Sequence, residues 1–192
     1  KYDASLSFSN PQTNNFLWRT LIKRELITEN NITFETGLQL GEDKTFLCNV
    51  YPHAKRISVI PDQLYHYCWH REGSLMDTLA YANNTEKLDK HCNLVDKIAD
   101  NVRSRDIQGE RDGLFQWMIP FLYADFIYQK REDKIDFAKR IDKTVDKLNK
   151  FYLMSKLPVY MVEDYGYIAK FANLEKREQP LCSAIIYLDS CS

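Results

Sequence analysis

Gly41-Glu42-Asp43 places two carboxylates directly after a glycine, where the surrounding pattern marks a loop-to-helix junction. Such a junction can hold an acid open to substrate. A carboxylate there acts as a general base if it reaches a hydroxyl and its pKa suits the working pH. The same acids also suit a helix N-terminus, whose unpaired N–H groups and dipole favour negative charge. From this tripeptide alone both readings stand. A second cluster, Tyr65-His66-Tyr67-Cys68-Trp69-His70-Arg71-Glu72-Gly73-Ser74, is an aromatic run that empties into a polar loop. Aromatic faces beside polar donors suit sugars and phosphates. Arg71 can neutralise a pyrophosphate oxygen through paired N–H donors, and His70 can hydrogen-bond it or ligate a divalent ion. An edge strand with Tyr65, Tyr67 and Trp69 packed on a core explains the same residues without a ligand.

Other chemistries lack their residues. There is no GxGxxG, no Walker-type loop and no GxSxG, so the common phosphate cradles and the nucleophile elbow are absent. His53, His66 and His91 have no partners at zinc-site spacing and read as ordinary surface or satisfied interior residues. The five cysteines, at 48, 68, 92, 182 and 191, are odd in number and contain no CxxC pair, which favours reduced thiols over a disulfide framework. Lys and Arg number 26 against 27 Asp and Glu, so the basic surplus of a dedicated nucleic-acid binder is missing.

The elements that must position these groups follow from hydrophobic spacing. Trp18, Leu21, Ile22 and Leu26 predict a helix capped by Asn14 or Asn15 and ended by Asn30-Asn31, followed by a β-prone Ile32-Thr33-Phe34. A helix from Glu42 carries Phe46, Leu47, Val50 and Ala54 along one side. The runs 57–60 and 64–69, separated by Pro61-Asp62-Gln63, predict neighbouring strands. Beyond Ser74 helical spacing takes over. Leu88, Cys92, Val95, Ala99 and Val102 form one stripe, and 103–111 is a polar connection. A helix apolar around most of its circumference carries Leu114, Phe115, Met118 and Leu122, with a kink expected at Pro120. Ala138, Ile141, Val145, Leu148 and Tyr152 line an amphipathic helix, a further helix follows Pro158, and 181–188 is apolar but undecided between strand and helix. No stretch reaches the roughly 20 apolar residues that span a bilayer. The expected class is α+β and predominantly helical, with an α/β piece over 1–76 and a helical piece over 77–192.

Taken in order, Trp18-Arg19-Thr20-Leu21-Ile22-Lys23-Arg24-Glu25-Leu26, Asn31-Ile32-Thr33-Phe34, Gly41-Glu42-Asp43-Lys44-Thr45-Phe46, Tyr65-His66-Tyr67 and Arg71-Glu72-Gly73-Ser74 resemble the second half of family 2 glycosyltransferases over roughly residues 14–76. The later helices resemble the variable tails of such enzymes only in a general way. Two positions depart from the pattern, Thr20 where relatives often carry Lys and Cys68 where they often carry Arg, and both bear on acceptor contacts.

The resemblance implies a partial GT-A α/β segment followed by a C-terminal helical bundle, and an inverting transfer from a nucleotide-diphosphate sugar to an acceptor hydroxyl in bacterial surface polysaccharide synthesis. It implies Asp43 as the base that deprotonates the acceptor and Glu42 as a residue that positions the acceptor or Asp43. His70, Arg71 and Ser74 would belong to a loop closing over the donor pyrophosphate, with Trp18 lining the sugar or acceptor cleft. A divalent metal, Mg or Mn, is expected in the full-length enzyme, held mostly by upstream residues, so the chain alone is expected to be inactive. The expected partners are the sugar donor and a glycan or lipid-linked acceptor, with no nucleic acid. The expected setting is cytoplasmic, with room for peripheral attachment to the inner membrane face and for a homodimer. The competing expectation is a non-catalytic helical module for docking or dimerisation, in which Glu42, Asp43 and the aromatic loop are structural.

Overall fold

The structure, a computed structural model, describes residues 2–13, 16–62, 64–66, 68, 74, 84–107, 109–150 and 157–173. Among the described residues there are seven α-helices and no strand. They are α1 (Ser5–Phe8), α2 (Arg24–Glu29), α3 (Glu42–Val50), α4 (Asn84–Arg105), α5 (Glu110–Phe126), α6 (Arg131–Lys147) and α7 (Val159–Ala172).

Helix α5 is the hub, as its all-round apolar sequence predicts: Leu114, Phe115, Met118, Ile119, Leu122 and Phe126 are all fully enclosed. It packs on α1, α4, α6 and α7, while α6 and α7 also lie against each other. Burying each such side chain contributes about 1.5–3 kcal/mol. Helix α5 runs through Pro120, which stands on the exposed side. The carbonyl of Gln116, which proline cannot serve, therefore belongs to an exposed residue. The α4 stripe of Leu88, Cys92, Val95, Ala99 and Val102 is buried as its spacing predicts, and so is the α6 stripe through Leu148; Tyr152 lies outside the described residues.

Three helix ends use the left-handed region that Asn and Asp tolerate: Asn31 (φ 51) after α2, Asp106 (φ 51) after α4 and Asn149 (φ 69) after α6. The connection expected over 103–111 is consequently shorter, because α4 continues to Arg105 and α5 begins at Glu110.

The N-terminal third departs most from expectation. The helix expected from Trp18 to Leu26 divides into a 3-10 turn, Leu17–Arg19, and the short α2. Thr20 and Lys23 between them are extended (ψ 128 and 133), and Leu21 is 99% exposed. Ile32 is buried, but 32–34 form no strand. The strand expected at 57–60 is corrected: these residues are in no strand and are exposed. A strand requires a neighbour to take its alternate N–H and C=O groups, and no described segment supplies one. Of the run expected at 64–69, only residues 64–66 and 68 are described, and none is in a strand. Residues 181–188 lie outside the described residues.

The N-terminal third does not stand apart from the bundle. Phe8 and Cys48 belong to the same core as α4–α7, while Ile32, Phe46, Leu47, Val50 and Tyr51 form a smaller core of their own. No described helix is long and apolar enough to cross a membrane.

Candidate functional site

Helix α3 begins where Gly41 adopts a left-handed conformation (φ 79). A Cβ at this position would fall 2.5 Å from Leu94 Cδ2 on α4, so both the backbone and the packing call for glycine. The first turn is secured twice on the Gly41 carbonyl, by the Thr45 amide and the Thr45 hydroxyl, each at 3.0 Å. This rigid start fixes the next two residues, leaving Glu42 exposed and Asp43 half-buried.

Asp43 Oδ1 accepts the Lys44 amide at 2.7 Å. Burial pushes its pKa up and the Glu42 carboxylate adds to the rise, while the backbone N–H groups of Lys44 and Leu17 pull the other way. A carboxylate disfavoured in its charged form by lost hydration is a better proton acceptor than one in free solution.

Leu17 belongs to the turn that carries Trp18, and this turn packs against α3. It is closed by the Thr20 amide on the Leu17 carbonyl (2.9 Å) and by the Thr20 hydroxyl on the Phe16 carbonyl (3.2 Å). The structure thus brings two of the expected residues, Asp43 and Trp18, to one place through Leu17. Two other rings stack on that of Trp18. Phe16 stacks on it at 5.2 Å between centroids and Tyr65 at 4.3 Å, with interplanar angles of 28° and 27°. The three rings remain 44%, 40% and 48% exposed for Phe16, Trp18 and Tyr65. Arg19 stands over the Phe16 ring at 5.7 Å.

Of the other expected site residues, Ser74 is partly buried, and His70 and Arg71 lie outside the described residues. Tyr65 is not packed on a core, as the edge-strand alternative required of it. Sequence reasoning overlooked Phe16 as a member of the stack.

It also overlooked Lys44, which is buried. Its ammonium donates to the Ser7 carbonyl at 2.7 Å and faces the Trp117 ring at 4.3 Å and the Phe8 ring at 5.3 Å. Burial brings its pKa down to about 8, with Cys48 and Asp43 opposing the fall. The signal was the spacing, since Lys44 precedes Leu47 and Cys48 by three and four positions and so shares their inward stripe. His91, read as a surface or satisfied interior residue, is the latter: its Nδ1 lies 2.7 Å from Asp125 Oδ2, and Lys87 donates to the other oxygen at 2.7 Å.

Among the described residues, no three His, Cys, Asp or Glu side chains converge as a metal site would require. A surface groove lined by Asn84, Asp89, Tyr128, Gln129 and Phe137 opens beside the start of α4 and includes none of the site residues above.

Part of the chain resembles known enzymes. Over 61 residues, 32% of this chain and 10% of the relative, it is 44% identical to a poly(ribitol-phosphate) beta-glucosyltransferase of Bacillus spizizenii. Over 58 residues, 30% of this chain and 10% of the relative, it is 36% identical to the poly(ribitol-phosphate) beta-N-acetylglucosaminyltransferase TarS of Staphylococcus aureus. The likeness therefore spans about a tenth of the length of these relatives. No family model matches the chain, and no solved structure does.

Proposed function

We propose that this chain supplies the acceptor side of an inverting family 2 glycosyltransferase with a GT-A catalytic domain, to which residues 1–76 belong. The sugar passes from a nucleotide-diphosphate donor to a hydroxyl of a cell-surface polymer. The observation that carries the reading is Asp43, a half-buried carboxylate whose pKa burial raises, on the first turn of a helix that packs against the turn bearing the exposed Trp18. In this role Asp43 takes the acceptor proton as the oxygen attacks the anomeric carbon and the nucleotide diphosphate departs from the opposite side. Glu42, exposed beside it, positions the acceptor. His70, Arg71 and Ser74 assist the leaving group.

The names of the partial relatives narrow the acceptor to a polyol-phosphate polymer and the sugar to glucose or N-acetylglucosamine. A divalent metal, Mg or Mn, would serve the donor diphosphate in the complete enzyme. Its ligands are proposed to lie mostly upstream of residues 1–76. The reading places the enzyme in the cytoplasm, at the inner face of the membrane where polymer precursors are held.

The test is Asp43→Asn in the full-length enzyme, assayed for sugar transfer and separately for donor binding. Transfer should fall by about 100- to 10,000-fold, the range for loss of a general base, with donor affinity unchanged. Turnover near the wild-type rate would end the assignment.

One observation favours a second reading, a docking module: Ile57, Val59, Ile60 and Leu64 are all exposed and in no strand. That reading predicts that alanine at these positions disrupts assembly while Asp43→Asn has no effect on any transfer.

A further inference from the structure

We propose that the Phe16–Trp18–Tyr65 ring stack, with Arg19, is the docking track for an anionic polyol-phosphate chain, the acceptor of the reaction; this rests on the reading given under Proposed function. Tyr65 is brought to Trp18 across 47 positions of the chain and Phe16 lies two residues before it; both rings stack on Trp18, at 4.3 and 5.2 Å. All three keep two-fifths or more of their surface open. Interior packing normally hides such rings, and large aromatics left exposed in a group mark recognition surfaces. A group of flat apolar faces suits a flexible polyhydroxylated chain, whose C–H groups lie on the rings while its hydroxyls stay in water.

Charge selects among such chains. Residues 16–24, Phe-Leu-Trp-Arg-Thr-Leu-Ile-Lys-Arg, carry three cations and no carboxylate, in a protein whose net charge is −1. Arg19, Lys23 and Arg24 are all exposed, and Arg19 already lies over the Phe16 ring. A guanidinium at the end of the stack can pair with a phosphodiester oxygen through its forked donors. The track leads to the base, because Leu17, within the same turn, is in backbone contact with Asp43.

The probes are a ribitol-phosphate oligomer, a neutral glucan of similar length and inorganic phosphate, each titrated against the 192-residue chain by calorimetry. The oligomer should bind more tightly than the glucan or phosphate. By analogy with single-stranded nucleic acids stacked on aromatic side chains, Phe16→Ala, Trp18→Ala and Tyr65→Ala should each weaken binding by roughly 5- to 50-fold. Trp18→Phe and Tyr65→Phe should stay within about threefold of wild type on the same argument, and unchanged thermal melting would exclude misfolding as the cause of any loss. Arg19→Gln should flatten the salt dependence. Alanine variants that bind like wild type, or a glucan that binds as tightly as the oligomer, would overturn the proposal.

The two ideas fail separately. Asp43→Asn should bind the oligomer normally, so if it still transferred sugar, only the base assignment would fall. Ring variants with normal binding beside an inactive Asp43→Asn would remove only the track.

Discussion

The ammonium of Lys44 and the carbonyl of Ser7, 37 positions apart, meet at 2.7 Å in the interior. This contact ties α3, the helix that begins with the two acids, to α1, and the Trp117 ring 4.3 Å from the same ammonium ties it to α5. The folded protein holds Lys44 near pH 8 against an ordinary 10.5. Between these values the unfolded chain binds more protons than the folded one, so stability rises with pH across that window, and the contribution is lost as pH falls through 8. The full span is worth on the order of 3 kcal/mol. In urea denaturation at pH 7 and pH 10, the stability of wild type relative to Lys44→Met should shift in favour of wild type by about 1–3 kcal/mol. A pH-independent difference would mean that the ammonium is hydrated.

Arg105 and Glu110 form the second tie. Glu110 is fully buried and takes two N–H donors from Arg105, at 2.6 and 3.2 Å, while a third reaches Asn49 Oδ1 at 2.6 Å. The pair closes the corner between α4 and α5 and holds the C-terminal half of α3 against it. Removing one partner strands a buried charge. Arg105→Met should cost about 3–5 kcal/mol, whereas the double variant Arg105→Met/Glu110→Met should recover much of that loss. Equal stabilities of the single and double variants would show that the charge is not stranded.

These ties explain what was legible in the sequence and what was not. Helices α4 and α6 were readable because each buries its own periodic stripe, Leu88 to Val102 in α4 for example, α5 because it is apolar all round, and α7 from the Pro158 before it. The stretch from Trp18 to Leu26 has the same spacing, yet it divides after Arg19. Leu21 finds no wall there, and Trp18 stacks instead on Tyr65, 47 positions away, a contact that no local pattern encodes. The run 57–60 failed in the opposite way. Its β-rich composition is real, but pairing depends on a neighbour, and composition cannot state whether one is present. The helix start at Glu42 was legible from Gly41-Glu42-Asp43, because a glycine before two acids is a short-range signal. The burial of Lys44 was half legible, in its spacing to Leu47, and its partner Ser7 was not.

Asp43 should be a residue that the fold would be better without. Burial raises its pKa above the ordinary 3.8, so the ionised form is disfavoured in the folded state. Its contribution to stability is fully present below the unfolded carboxylate pKa and is lost as pH rises through the folded value. Asn at this position keeps an oxygen for the Lys44 amide and carries no charge. At pH 7, Asp43→Asn should melt at the same temperature as wild type or slightly higher, and its advantage should shrink as pH falls toward 4, the unfolded carboxylate range. A melting temperature that drops by several degrees at pH 7 would instead make Asp43 a helix cap and weaken its assignment as a base, since loss of a cap costs about 1 kcal/mol, equivalent to roughly 2–4 °C in a domain of this size.

Gly41 carries the geometry on which that assignment depends, and its two roles can be separated. Alanine at this position meets a backbone cost, because φ 79 is a left-handed angle, worth about 1–2 kcal/mol for a residue with a Cβ. It also meets a packing cost, because that Cβ would lie 2.5 and 2.7 Å from the two methyls of Leu94, and Leu94 is itself buried. Overpacking of this kind costs about 1–3 kcal/mol, so Gly41→Ala should lose roughly 2–5 kcal/mol in all. Leu94→Ala removes the clash but leaves φ unchanged. In a double-mutant cycle the pair should therefore be more stable than the sum of the single variants by about 1–3 kcal/mol, the packing share alone. Strict additivity would mean that α3 shifts away from α4 to make room. Such a shift would move Asp43 relative to Trp18, so in the full-length enzyme Gly41→Ala would then lose transfer by more than its stability loss explains.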